Sequence, residues 1–187
     1  MKRSTLIFTV IIILLVPAFA FAVTGNRVIN GDFEEYNYIQ TDWEIDFEVP
    51  NADSASVDFI ETDEETGTNT YAEIQSNEPN YISLKQSIFL NKNTSYKISA
   101  LAKADGIGME NMGGYLRLEE NQGQSAQIKG TLTDWQELVF YVTTSNTNVY
   151  TTLEAALGDE NSLNSGVLDI DDINVVEVSS IPVGANH

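Results

Sequence analysis

The chain has 187 residues, with 28 acidic against 9 basic side chains, a formal charge of −19, one histidine and no cysteine. An acidic balance of this size argues against nucleic acid and anionic membrane as partners, because both would repel it. With no disulfide available, packing or a bound metal must hold the fold.

Lys2 and Arg3 precede an apolar run from Leu6 to Val16 that ends at Pro17. The run is shorter than the roughly 20 residues of a membrane span. Ala18-Phe19-Ala20-Phe21-Ala22 sets small residues where signal peptidase cuts. Residues 1–22 are therefore expected to be a secretory signal, 23–180 one domain and 181–187 a short tail. Removing the 22-residue leader leaves 165 of the 187 residues and, by taking Lys2 and Arg3, moves the charge from −19 to −21. No second hydrophobic segment follows, so the mature chain is expected to be exported, without a membrane span.

The mature part opens on a turn signal, Asn30-Gly31-Asp32, set between Val28-Ile29 and Phe33-Glu34, with Trp43 after a polar gap. Period-two alternation then marks half-buried strands at Tyr71 to Gln75, Tyr81 to Leu90 and Ser95 to Ala102. It continues at Gly114 to Glu119, Gln136 to Val142 and Val149 to Ala155. Turn chemistry separates these runs at Asn91 to Thr94, Gly106 to Gly114, Asn121 to Gly123 and Gly158 to Gly166. Only Thr152 to Leu157 also fits a helix, and it is too short to outweigh its neighbours. Many antiparallel strands in one domain of this length predict an all-β antiparallel sandwich, a jelly roll.

In the closing segment Leu168 and Ile170 share one face, while Ile173 and Val175 continue the apolar set in the opposite phase. The slip falls on Asp171-Asp172, as a β-bulge would produce, and bulges re-aim side chains. Carbonyls exposed by a bulge beside carboxylates suit calcium, which takes about 6–8 oxygen ligands.

Four segments in order carry a resemblance: Asn30 to Glu34 with Trp43, Gln86 to Ala104, Asp134 to Phe140 and Gly166 to Val178. Together they are similar to carbohydrate-binding modules of the CenC type (families 4, 9, 16 and 22), over about residues 26–178. The resemblance implies a galactose-binding-like jelly roll and a structural calcium. Carried onto this chain, its ligands are Glu34, the carbonyl of Asp32, and Asp171, with Asp172 as the alternative. A further carbonyl is expected from the loop before Tyr71, where Gly67 to Thr70 is longer than the family's glycine turn; Asn69 is the choice taken there, with Thr68 and Thr70 open.

Catalysis finds little support. The single histidine, His187, is the last residue of the sequence, so no Ser/His or Cys/His arrangement is expected. Among 28 acids some pair is always close, so a glycosidase-like carboxylate pair carries no information. Asp169 to Asn174 lacks the central Gly and distal Glu of a helix-loop-helix calcium loop. Asp63-Glu64-Glu65 reads as a charged loop tip.

A sugar-binding surface combines aromatic faces with amides and charged groups for the hydroxyls. Alternation turns Tyr115, Arg117 and Glu119 away from the core, and likewise Glu137 and Tyr141, and Tyr150 with its strand mates Thr152 and Glu154. On neighbouring strands these would form one concave face for polysaccharide or oligosaccharide. Trp43 and Trp135 are expected in the core or at its edge. Leu101 stands where the family carries an outward aromatic, a departure that bears on specificity. Two functional classes follow: a secreted glycan-binding module, or an extracellular surface or biofilm matrix domain using the same fold for protein contacts.

Overall fold

The structure is a computed structural model and describes residues 25–35, 39–48, 54–64, 67–119 and 122–185. The expected leader and His187 lie outside the described residues. After a single helical turn, α1 (Ile39–Asp42), come ten strands. They are β1 (Glu44–Phe47), β2 (Ala55–Glu64), β3 (Gly67–Asn80), β4 (Ile82–Leu90) and β5 (Ser95–Ile107). The rest are β6 (Gly114–Leu118), β7 (Gly123–Gln124), β8 (Gly130–Thr143), β9 (Val149–Leu157) and β10 (Asn164–Val178).

The strands form two five-stranded antiparallel sheets, β1-β4-β9-β6-β7 and β2-β3-β10-β5-β8, here the short and long sheets. The expected jelly-roll sandwich is the observed fold. Alternation explains it: Ile82, Leu84, Ile88, Leu153, Ala155, Leu157, Leu116 and Leu118 face inward from the short sheet. Ala72, Ile74, Ile98, Ala100, Leu138, Phe140, Leu168 and Ile170 meet them from the long sheet. Among the described residues no helix is long and apolar enough to cross a membrane.

β1, β2 and the two-residue β7 are not among the strands expected from the sequence. β1 is four residues with little burial, and the acid-rich end of β2 reads as loop, so Asp63 and Glu64 belong to a strand and not to a loop tip. The Trp135 strand is also placed differently from expectation. β8 pairs with β5 at the edge of the long sheet, whereas β6 and β9 pair within the short sheet. Glu137 and Tyr141 therefore stand on the opposite side of the sandwich from Tyr115, Arg117, Glu119 and Tyr150. The single concave face expected to unite these residues does not exist.

Candidate functional site

The opening turn docks on the bulge of the closing strand. β10 loses register between Asp171 and Asn174, and Asp172 takes φ 51°. Gly31 lies so close to the bulge that an added Cβ would sit 2.1 Å from the Ile173 carbonyl oxygen. The Ile173 N–H donates back to the Gly31 carbonyl at 2.8 Å. Asn30 and Phe33 turn the chain with φ 50° and 54°. Phe33 thereby enters the core, 5.6 Å from the Trp43 ring and 5.5 Å from Phe59. Trp43, as expected, is buried, and its indole N–H donates to the Asn30 carbonyl.

This docking gathers acids. Glu34 accepts from the Thr70 N–H at 2.8 Å, and Asp171 accepts from the Asn69 amide at 3.1 Å and the Asp172 N–H at 2.7 Å. Burial raises the Asp171 carboxyl to about 6, and the negative charges of Asp172 and Glu34 add to it, against the hydrogen bonds from Asn69 and Asp172. Asp32 and Asp172 are exposed. Among the described residues no three acidic or histidine side chains gather as one metal cluster. A cation here would draw on Glu34 and Asp171 together with main-chain and amide oxygens, a donor set of the hard type calcium takes.

On the outer face of the short sheet, Tyr115 and Arg117 do point away from the core. Tyr115 is nonetheless fully buried. Tyr81, Met112 and Leu163 pack around it, and its hydroxyl donates to the Gly158 carbonyl at 3.0 Å. The loop that carries Met112 is pinned by buried Asn164, whose amide donates to the Gly108 and Met112 carbonyls. Tyr115 is thus a structural side chain and not an exposed platform. Glu154, also buried, accepts from the Tyr81 hydroxyl and from Arg117 Nε. Burial, with the Glu154 hydrogen bond, pushes the Tyr81 phenol up to about 12. Tyr150 is 82% exposed and rests against the Phe89 ring.

The outer face of the long sheet adds Tyr71, Lys103 and Asp169, which were not among the expected site residues, to Trp135, Glu137 and Tyr141. Trp135 meets Tyr71 edge-on, with centroids 5.6 Å apart at 79°, and Lys103 Nζ lies 4.2 Å from the indole centroid. Tyr71 and Trp135 come from β3 and β8, so their rings meet across the two strands between, β10 and β5. Asp169 on β10 pairs with Glu73 and Lys103 in the ladders beside it. Burial and then the Glu73 charge raise its carboxyl to about 6, with Lys103 opposing. Its Oδ1 is buried and has no hydrogen-bond partner. Glu137 pairs with Lys97 at 2.6 Å near Tyr141, which faces Lys97 in the ladder.

Trp135 therefore lies outside the core, on the outer face of the long sheet's edge strand β8. The signal was present: it shares the parity of Glu137 and Tyr141, on the side opposite Leu138, Phe140 and Val142.

No family model and no curated protein matches the chain. Among solved structures it is similar to a family 4 carbohydrate-binding module, with 22% identity over 81% of this chain and 99% of that one, at TM-score 0.54. It is similar to a family 61 module in complex with β-1,4-galactotriose, at 12% identity, 83% and 100% coverage and TM-score 0.56. A family 16 module matches at 16% identity, 81% and 100% coverage and TM-score 0.52. At these identities the likeness shows a shared fold, and it is the fold of carbohydrate-binding modules.

Proposed function

We propose that the chain is a non-catalytic, exported module that binds polysaccharide on the outer face of its long sheet, around Trp135, Tyr71, Lys103 and Asp169. The observation that carries this is the orphaned Asp169 Oδ1 beside the Trp135–Tyr71 ring pair. A buried acceptor without a donor is costly. A sugar brings both missing partners, a hydroxyl to donate and an apolar ring face to lie against the aromatic. Glu137 and Tyr141 lie farther along the same face, where a longer chain would reach them. Leu101, between Asp171 and Glu137 in the ladders, leaves the middle of the face without an aromatic, so Trp135 is the platform. The similar module that holds a galactotriose supports the class of ligand.

The reading includes a structural calcium held by Glu34 and Asp171, with carbonyls from Asp32 and the Thr68 to Thr70 segment. Such an ion would neutralise the facing carboxylates and fasten the opening turn to β10.

Affinity electrophoresis in gels containing β-glucan, xylan or galactan tests the binding face. Trp135→Ala should reduce retardation about tenfold in apparent affinity, the upper end of an aromatic contact, while the fold stays cooperative and the melting temperature falls only by the few degrees that the lost Tyr71 and Lys103 contacts account for. Equal retardation of wild type and variant would remove Trp135 from the site. No retardation in any gel would favour the matrix-domain alternative.

A further inference from the structure

We propose that the outer face of the short sheet is a second glycan-binding surface, so that one chain bridges two polysaccharide strands. The proposal rests on the sugar-binding reading of the long sheet and adds a site on the opposite side of the core.

β4 and β9 set out matched cross-strand pairs on this face: Phe89 with Tyr150, Ser87 with Thr152, and Lys85 with Glu154. Successive pairs on one face are about 7 Å apart, two residues of strand rise. Tyr150 leans on Phe89 with ring centroids 4.8 Å apart at 54°. One ring thus props the other, and the propped ring is 82% exposed. A large aromatic held in a fixed tilt against solvent is a preorganised platform, which lowers the ordering cost of stacking a ligand.

Beside the platform lies a shallow groove of about 210 Å³, lined by Ser87, Glu119, Tyr150, Thr151 and Thr152. The Ser87 and Thr152 hydroxyls and the Glu119 carboxylate next to one aromatic face match a sugar ring, which offers hydroxyls at its edge and C–H groups on its face. Charge selects the class. Among the lining residues Glu119 alone is charged. The cations of the next row are already engaged, Arg117 with Glu154 and Lys85 with Asp46. An acidic polysaccharide would meet the Glu119 carboxylate without a compensating cation, so the ligand is a neutral glycan.

The Tyr81–Glu154–Arg117 network beyond the groove fixes its far end. Arg117 donates from Nε to Glu154 and from Nη2 to the Tyr81 hydroxyl at 3.0 Å. The two outer faces are separated by the common core, to which both sheets contribute. A ligand on one face therefore cannot occupy the other, and a long polysaccharide solution becomes cross-linked once both are filled.

The test combines affinity gels with light scattering of soluble β-glucan, xylan or galactan titrated with full-length mature protein. Wild type should raise scattering to a maximum and then lower it as excess protein saturates single faces. Tyr150→Ala should lose about fivefold in affinity at the short-sheet face and abolish the scattering maximum, yet still be retarded in the gel. Trp135→Ala should also lose the maximum and keep a residual retardation, which the double variant loses. If Trp135→Ala alone removes all retardation, or Tyr150→Ala cross-links as wild type does, the second surface is overturned and the long-sheet reading stands. If wild type is not retarded in any neutral glycan, both fall. Thermal melts of each variant beside wild type exclude unfolding as the cause of a loss, since neither side chain is buried in the core.

Discussion

Gly31→Ala is the sharpest perturbation of the seam between the opening turn and β10. The new Cβ would lie 2.1 Å from the Ile173 carbonyl oxygen and 3.0 Å from a Val28 methyl. The first contact is with main chain, so no side-chain rotation relieves it, and the turn must retreat by about 1 Å to reach an ordinary C···O separation. That retreat breaks the bond from Ile173 N–H to the Gly31 carbonyl, costing about 1 kcal/mol. It also unseats Phe33, which is fully buried. Losing half of a phenylalanine's burial costs about 1–1.5 kcal/mol, and weakening its contacts with Trp43 and Phe59 about 0.5–1 kcal/mol more. The sum is about 3 kcal/mol, or a drop in melting temperature of roughly 6–12 °C for a domain of this size. Differential scanning calorimetry measures it directly. Gly25→Ala is the control, because nothing lies within 4 Å of its Cβ position, and its midpoint should not move. A Gly31→Ala midpoint within about 2 °C of wild type, on the scale used above, would refute the seam.

Calcium at millimolar concentration should raise the melting temperature, since an ion bound only by the native state stabilises it. Glu34→Ala or Asp171→Asn should abolish the rise, and an unchanged midpoint after exhaustive chelation would remove calcium from the account. The Glu177 carboxyl is held below the ordinary glutamate range, chiefly by the hydrogen bond from Arg27. Its contribution is present above the unfolded-state value and lost as pH falls through the lower folded-state value. Acid melts should therefore show a loss of stability below about pH 4.3, the ordinary glutamate value, that Glu177→Gln flattens. Tyr115→Phe leaves the Gly158 carbonyl without its donor and should cost about 1–2 kcal/mol of stability with no change in glycan retention. A loss of retention at unchanged stability would return Tyr115 to a binding role.

The sequence carried local geometry well and sheet membership poorly. Opposite phases of Leu168/Ile170 and Ile173/Val175 placed the bulge at Asp171-Asp172, where β10 does lose register. Period-two alternation is a property of one strand, so it told which way Tyr115, Arg117, Tyr141 and Tyr150 point. It could not tell which strands are neighbours, because pairing is set by long-range packing. β8 went to the far sheet, and the imagined single face separated into two. Parity is also blind to loops. Tyr115 points outward and is still covered, because Asn164 pins a loop over it from 49 residues farther along the chain. Trp135 was the converse case, where parity gave the answer and the habit of placing tryptophan in the core obscured it.

The most direct test of the central reading uses the two tryptophans, which differ in setting: Trp43 is 3% exposed in the core and Trp135 is half-buried on the long-sheet face. Each gives one indole N–H signal in a nitrogen–proton correlation spectrum, assigned by Trp135→Phe. Titration with a neutral oligosaccharide selected from the affinity gels should shift the Trp135 signal saturably and leave the Trp43 signal in place. A ligand that binds while the Trp135 signal stays fixed would contradict the proposed face.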